Sequence, residues 1–298
     1  MRAEVESTVG ARVVGTQSGA GGYSPSFASG CDLDDGRRVF VKAVSPAQNP
    51  ESPDMLRREM EITRRLPPSV PAPRLLHSVD DGDWVVGIFE FVDGRPPPLP
   101  WNADDLAVVV AAIAQLAATE TTPAIADIDT AETRLSAMFG RWGVLAADPP
   151  GDLDPWLGER LPDLVSLEAG WRDAVRGDAL VHLDVRSDNV LLTAGGAVLV
   201  DWPHACIGAP GLDLLAMLPS VALEGGGEPE EMLRLASNLE PWEPPAVDAL
   251  VAALAGFFLD QARKPDPPGL PTVRAFQRAQ AEVAVRWLRT RLGDPVPQ

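Results

Sequence analysis

The chain has 298 residues, 45% of them hydrophobic, with 43 acidic side chains against 25 Lys and Arg and a formal net charge of −18. That length allows one large domain or two lobes sharing a cleft. The charge argues against nucleic acid and anionic membrane surfaces as partners and would favour a cationic small molecule, although the same acidity can simply keep a protein soluble.

The first residues, Met1 to Thr8, contain no apolar signal region. The apolar runs near Leu106 to Ala118 and Val247 to Leu259 fall short of a bilayer span, so a cytoplasmic protein is expected. Cys31 and Cys206 have no metal-type spacing and read as free buried thiols.

Residues 1–95 read as β-rich with one helix. Ala11 to Thr16 forms a first strand, Gln17 to Ser24 a glycine-rich loop, and Phe27 to Leu33 a return strand, with Asp34-Asp35-Gly36 turning into Arg37 to Val44. The loop containing Ser18, Gly19, Gly21 and Gly22 fits neither G-x-x-x-x-G-K-[ST] nor a helix-opening G-x-G-x-x-G, because strand-like residues follow it. In Val39 to Val44, Val39, Val41 and Ala43 share one face and Phe40, Lys42 and Val44 the other. A lysine inside such an alternation requires an anion.

Ser52 and Pro53 open a helix, as N-cap and first helical residue, that runs to about Leu66, where Pro67-Pro68 stops it. At about 100° per residue, Met55, Glu59, Ile62, Thr63 and Leu66 fall on one stripe, and Glu61 lies about 160° from Glu59 among arginines. Glu59 is therefore the predicted partner of Lys42. A strand pair around Leu75 to Val79 and Trp84 to Phe91 then breaks into the Pro-rich segment Val92 to Pro98.

Asn102 with Asp105 caps a helix whose Leu106, Val109, Val110, Ile113, Leu116 and Ala117 make a core stripe. Residues 120–153 suggest shorter helices, with Phe139, Trp142 and Leu145 read as packing residues. Asp154-Pro155 starts a helical stretch to Val175 that breaks near Pro162, and Gly177 ends it. Beyond Asp213 the chain reads as helical, with an acidic loop at Glu224 to Glu231, an apolar helix at Val247 to Asp260 and an amphipathic one at Val273 to Leu292.

The segment between, Leu180 to Asp213, carries the chemistry. Val190 to Leu192 and Val198 to Val200 flank a Gly195-Gly196 turn, a small hairpin with His182, Asp184 and Asn189 before it and Asp201 after it. Folding at 195–196 brings Asn189 and Asp201 together, offering a hard divalent cation an amide and a carboxylate oxygen. The spacing is H-x-D-x-x-x-x-N followed by a strand ending in Asp.

In segments 180–213, 36–44 and 55–66 the chain resembles the aminoglycoside phosphotransferase family, small-molecule kinases of the protein-kinase-like fold. The resemblance implies an α+β, two-lobed protein-kinase-like fold. Residues 1–95 would be a small antiparallel-sheet, nucleotide-binding N-lobe, and residues 96–298 a mainly helical C-lobe for catalysis and substrate binding. It implies ATP or GTP and Mg2+ as cofactors, and a monomer or weak homodimer acting on a small molecule.

By the same resemblance, Lys42 holds the α- and β-phosphates and Glu59 lies on the counterpart of helix C. The backbone of Ser18, Gly19, Gly21 and Gly22 covers the phosphates, and the backbone of Glu90 and Val92 meets the adenine edge. Asn189 and Asp201 bind Mg2+, and Asp184 orients or accepts the proton of the acceptor hydroxyl. His182 braces the loop and Asp213 ties it together. Arg186 stands where protein kinases carry a lysine that reaches the γ-phosphate, the alternative being a salt bridge to Asp188.

Leu183 stands where glycine is commonest, Trp202-Pro203 replaces Phe-Gly, and the usual Leu-His on the first large-lobe helix is absent. The stretch from Asp201 to Asp213 is short and no A-P-E follows it, which argues against protein substrates. The expected function is transfer of a γ-phosphate to a hydroxyl of a small, aminoglycoside-like molecule, with Glu224, Glu228, Glu230, Glu231 and Asp260 as candidates to meet an amine. Alternatives are a metabolic kinase for a choline-like alcohol or a sugar, and a catalytically silent nucleotide-binding regulator.

Overall fold

The computed structural model describes residues 2–18, 27–236, 242–267 and 271–293. They form a two-lobed α+β fold. In the N-terminal lobe, helix α1 (Arg2–Val9) precedes β1 (Val13–Ser18), β2 (Phe27–Leu33) and β3 (Arg38–Val44). Helix α2 (Ser52–Arg65), β4 (Leu75–Asp80) and β5 (Val85–Glu90) complete it. The strands make an antiparallel sheet in the order β1-β2-β3-β5-β4.

The β3 alternation places Val39, Val41 and Ala43 in one core with Val86 and Ile88 of β5, and α1 covers that face with Val5 and Val9. Helix α1 has no counterpart in the sequence reading. Its two valines are a short signal, and its position is held by the Arg37 guanidinium donating to the Val9 carbonyl and the Glu6 carboxylate accepting from the Val13 N–H. On the other face Val44, Val85 and Phe89 pack against Leu56 and Met60 of α2.

Two details of α2 depart from expectation. Its N-cap is Glu51 rather than Ser52, because the Asn49 side chain already accepts from the N–H groups of Glu51 and Ser52. Met55 is 43% exposed, and the sheet-facing stripe is centred on Leu56 with Glu59, Met60 and Thr63. Ile62, on another side of the helix, enters the core of the C-terminal lobe. Helix α2 thus lies between two apolar surfaces, with Glu59 on the boundary.

The C-terminal lobe begins with α3 (Ala103–Ala117), capped by the Asn102 side chain accepting from Asp105 N–H. Short helices follow, α4 (Ala131–Leu135), α5 (Arg141–Ala147), α6 (Pro155–Glu159), α7 (Leu161–Glu168) and α8 (Trp171–Ala174). Phe139, Trp142 and Leu145 are core residues there. Strand β6 (Ala179–Val181), hairpin β7 (Val190–Thr193) and β8 (Gly196–Leu199), and β9 (Cys206–Gly208) come next. Helices α9 (Leu212–Leu223), α10 (Pro229–Leu235), α11 (Pro244–Ala262) and α12 (Val273–Arg291) complete the lobe.

The hairpin turns one residue earlier than expected. Thr193 pairs with Gly196, so Ala194 and Gly195 form the turn, which the Thr193 hydroxyl closes by accepting from Gly195 N–H and donating to the Gly196 carbonyl. Helix α11 is also longer than the apolar run suggested. At 19 residues it is long and apolar enough to cross a membrane by length and composition, but its buried positions Val247, Leu250, Val251 and Leu254 belong to the core of the lobe.

Candidate active site

Lys42 is the centre of the site. Its Nζ donates to both Glu59 carboxylate oxygens at 2.7 and 2.9 Å and to Asp201 Oδ1 at 2.8 Å. The side chain is 18% exposed and that of Glu59 5%, so neither charge is well solvated. Burial alone would lower the lysine pKa, but the two carboxylates outweigh it and hold the ammonium charged. Burial raises Glu59 to about 6 against the pull of Lys42. Glu61, by contrast, is a solvent-side partner of Arg65. The lysine joins the helix of one lobe to the aspartate of the other.

Asp201 follows β8 in a left-handed backbone conformation, φ 70°, which a non-glycine residue adopts only under constraint. Burial acts to raise its pKa, but Lys42 brings it below the ordinary carboxylate value. Asn189 ends a 3-10 turn (Ser187–Asn189), and its carbonyl accepts from Val200 N–H, which sets the two residues at the open end of the hairpin. The Asn189 amide nitrogen donates at 2.8 Å to both the carbonyl and the carboxylate of Asp184. Since both partners are acceptors, the amide oxygen is turned away from them. Asp201 and the Asn189 side-chain amide oxygen, Oδ1, supply hard oxygen donors.

Among the described residues no group of three or more His, Cys, Asp or Glu gathers into a metal cage. A cation here would complete its shell with phosphate and water oxygens, the usual arrangement for Mg2+. The residues fit that ion.

The Asp184 side chain is 26% exposed, and loss of solvent around it pushes its pKa up to about 7, with Arg186 opposing and Asp201 and Asp188 adding to the rise. Arg186 makes a two-pronged contact with Asp188, at 3.1 and 2.8 Å, and lies 3.8 Å from Asp184 Oδ1. Its guanidinium also sits 5.4 Å from the Phe276 ring of α12. The Asp188 pairing is therefore present, and it leaves Arg186 beside Asp184.

His182 is fully buried and burial lowers its pKa to about 4. Its Nδ1 accepts from Asp184 N–H at 3.2 Å, so Nε2 carries the proton and donates to the Val200 carbonyl at 3.1 Å. The neutral ring braces the loop against the hairpin. Asp213 accepts from the N–H groups of His182 and Leu183 at 2.8 and 2.7 Å. Leu183 has φ 65°, the left-handed region that favours glycine, and those two hydrogen bonds hold it there.

The strand after the sheet is also tied to this centre. Arg95 and Leu192 exchange two backbone hydrogen bonds at 3.0 and 2.7 Å, joining the segment after β5 to the hairpin. Glu90 N–H donates to the Arg74 carbonyl, while Val92 is half-buried on the way to Arg95. Ser18 ends β1 opposite Ser29, and Gly19, Gly21 and Gly22 lie outside the described residues.

Several contacts have no local signal in the sequence. Arg58 of α2 bonds the carbonyls of Pro203 and Ala205, and Glu224 accepts from Trp101 Nε1 and the Ser187 hydroxyl at 2.7 Å each. Their partners lie far away in the chain. Of the acidic candidates for an amine, Glu230 is taken by Arg291 and Trp287, and Asp260 by Lys264.

No curated protein matches the sequence. Among solved structures, the chain is similar to an aminoglycoside phosphotransferase from Alicyclobacillus acidocaldarius, with 20% identity, coverage of 94% of this chain and 92% of that one, and a TM-score of 0.55. It is similar to the macrolide 2'-phosphotransferase MphH from Brachybacterium faecium at 18% identity, 99% and 97% coverage, and 0.56. A choline/ethanolamine kinase family protein from Mesorhizobium loti gives 17%, 99% and 94%, and 0.60. At these identities the likeness is one of fold. The model of the phosphotransferase enzyme family matches residues 21–250, which contain Lys42, Glu59, Asp184, Asn189 and Asp201, and the chain belongs to that family.

Proposed function

We propose that this enzyme transfers the γ-phosphoryl group of ATP or GTP to a hydroxyl of a small molecule. One observation carries the reading: one half-buried lysine bonds Glu59 of one lobe and Asp201 of the other, beside an Asn189 that faces Asp184. Lys42 would bind the α- and β-phosphates, and Asn189 and Asp201 would hold Mg2+. The cation would supply positive charge against the phosphates where three carboxylates otherwise repel them.

In the transfer, a bond forms between the acceptor oxygen and the γ-phosphorus as the bond to the β–γ bridging oxygen breaks. The acceptor proton passes to Asp184, or is oriented by it. A carboxylate with a pKa near neutrality suits a base that must hold and release a proton at working pH. The carbonyl of Glu90 and the N–H of Val92 would meet the nucleotide base, the Glu90 N–H being already paired.

An aminoglycoside-like acceptor is favoured by the net charge of −18. Among the described residues, Glu224 and Glu231 are the carboxylates left for its amines, since Glu228, Glu230 and Asp260 face their own cations. A choline-like alcohol or a sugar would use the same centre, and supplies of ATP and Mg2+ agree with a cytoplasmic setting.

The test is a panel of aminoglycosides, macrolides, choline-like alcohols and sugars with ATP and GTP. Phosphorylation of one class, together with slow ATP hydrolysis that Asp184→Asn abolishes, is the expected result. Failure of the pure protein to bind or turn over either nucleotide would overturn it.

A further inference from the structure

Helix α2 is fastened to the C-terminal lobe by two arginines on one of its faces. Arg58 donates from Nε to the Pro203 carbonyl at 2.8 Å and from Nη2 to the Ala205 carbonyl at 3.2 Å, with Nη1 3.1 Å from Asp129. Arg65, two turns on, reaches the Ala124 carbonyl and Asp127. The two anchors hold different things. Arg65 grips a loop without a site residue, whereas Pro203 and Ala205 follow directly on Asp201.

That placement matters because Asp201 has φ 70°, in the left-handed region, so the direction of its side chain depends on how the main chain on either side is held. Glu59 acts on Asp201 through Lys42, which bonds both carboxylates. Its neighbour Arg58 takes the main chain immediately beyond. Arg134 of α4 adds a longer contact, 3.5 Å, to the same Pro203 carbonyl. An arginine serving only as a surface charge would need a carboxylate; two of the three Arg58 contacts are to carbonyls, and its side chain is 27% exposed.

We infer that Arg58 is a positioning residue for Asp201: by clamping the carbonyls of Pro203 and Ala205 to α2, it holds the Asp201 carboxylate in the orientation that receives the divalent cation. The inference rests on the reading of Asp201 as a metal ligand. Residues that orient a ligand from behind commonly change metal affinity by about 10- to 100-fold when removed.

The experiment is a Mn2+ titration followed by electron paramagnetic resonance in the presence of ADP. It compares wild-type protein with Arg58→Met, Arg58→Lys and Arg65→Met, and the melting temperature of each metal-free protein is recorded alongside. Arg58→Met is expected to weaken Mn2+ binding by about tenfold or more. Arg58→Lys, which can keep one carbonyl contact, should fall between. Arg65→Met should lower the melting temperature and bind Mn2+ as wild type does.

Arg58→Met binding Mn2+ like wild type would overturn the assignment. So would Arg65→Met weakening it equally, because docking of the lobes in general would then explain the effect. Should Arg58→Met fail to fold, Arg58→Lys against Arg65→Lys makes the same comparison. Wild-type protein that takes up no Mn2+ with ADP would overturn the reading of Asp201 itself.

Discussion

Three side chains can be separated by direct measurement. Asp184→Ala should lower turnover by roughly 10²- to 10⁴-fold while nucleotide binding survives, since the carboxylate acts on the acceptor; nucleotide affinity measured by calorimetry checks the second half. Glu59→Gln should cripple the enzyme and Glu61→Gln leave it active, because Glu59 is bonded to Lys42 and Glu61 only to Arg65 at the surface. The raised pKa of Asp184 has a signed consequence. Its folded value, about 7, lies above the ordinary 3.8, so between these values the folded protein binds the extra proton, and ionising Asp184 reduces stability as the pH rises. A cation at Asn189 and Asp201 favours the ionised form, so Mg2+ binding at pH 6 should release a proton that is no longer released at pH 9. Calorimetry in two buffers of different ionisation enthalpy reads it, and Asp184→Asn should reduce it, leaving the share that Glu59, with its pKa of about 6, supplies. The ion pair to Glu59 was legible because helical periodicity left one acid facing the sheet. The link from Lys42 to Asp201 was not, since it spans the two lobes and no local pattern encodes it.

Elements were legible where a local rule governs them. The β3 alternation, the Asn102 cap and the Asp154 cap follow from neighbouring residues, whereas the N-cap of α2 shifted because Asn49, two residues earlier, captured the free N–H groups. Leu183 and Asp201 show the opposite case: their left-handed backbone is held by contacts from distant residues, Asp213 and Lys42. Asp213→Asn should therefore destabilise the protein by about 2 kcal/mol, because an amide offers one acceptor oxygen where the carboxylate offers two to His182 and Leu183. Thermal melting measures this. Gly94→Ala tests the joint between the segment after β5 and the hairpin. A Cβ there would lie 3.0 Å from the Leu192 carbonyl and 3.1 Å from Leu191 and Thr193 side-chain carbons, so a loss of about 1–3 kcal/mol is expected.

Over the whole molecule the excess of acid acts at long range. If the acceptor is polycationic, its KM should rise several-fold as ionic strength increases from about 0.01 M to about 0.15 M, whereas a neutral acceptor should show little change. Steady-state kinetics at two salt concentrations make the comparison. The two-lobed plan came with the family resemblance, since length alone allowed one domain or two lobes, and the way the lobes are joined was not readable. The pair of hydrogen bonds between Arg95 and Leu192 makes that join a gauge. On one side of this rung the chain leads back within a few residues to Glu90 and Val92, and on the other the hairpin leads to Asn189 and Asp201. The stations proposed for the two ends of a nucleotide are thus linked through this one hydrogen-bonded rung. Such a link would hold the base station at a set distance from the cation, so that a nucleoside diphosphate and a triphosphate would meet the same two stations.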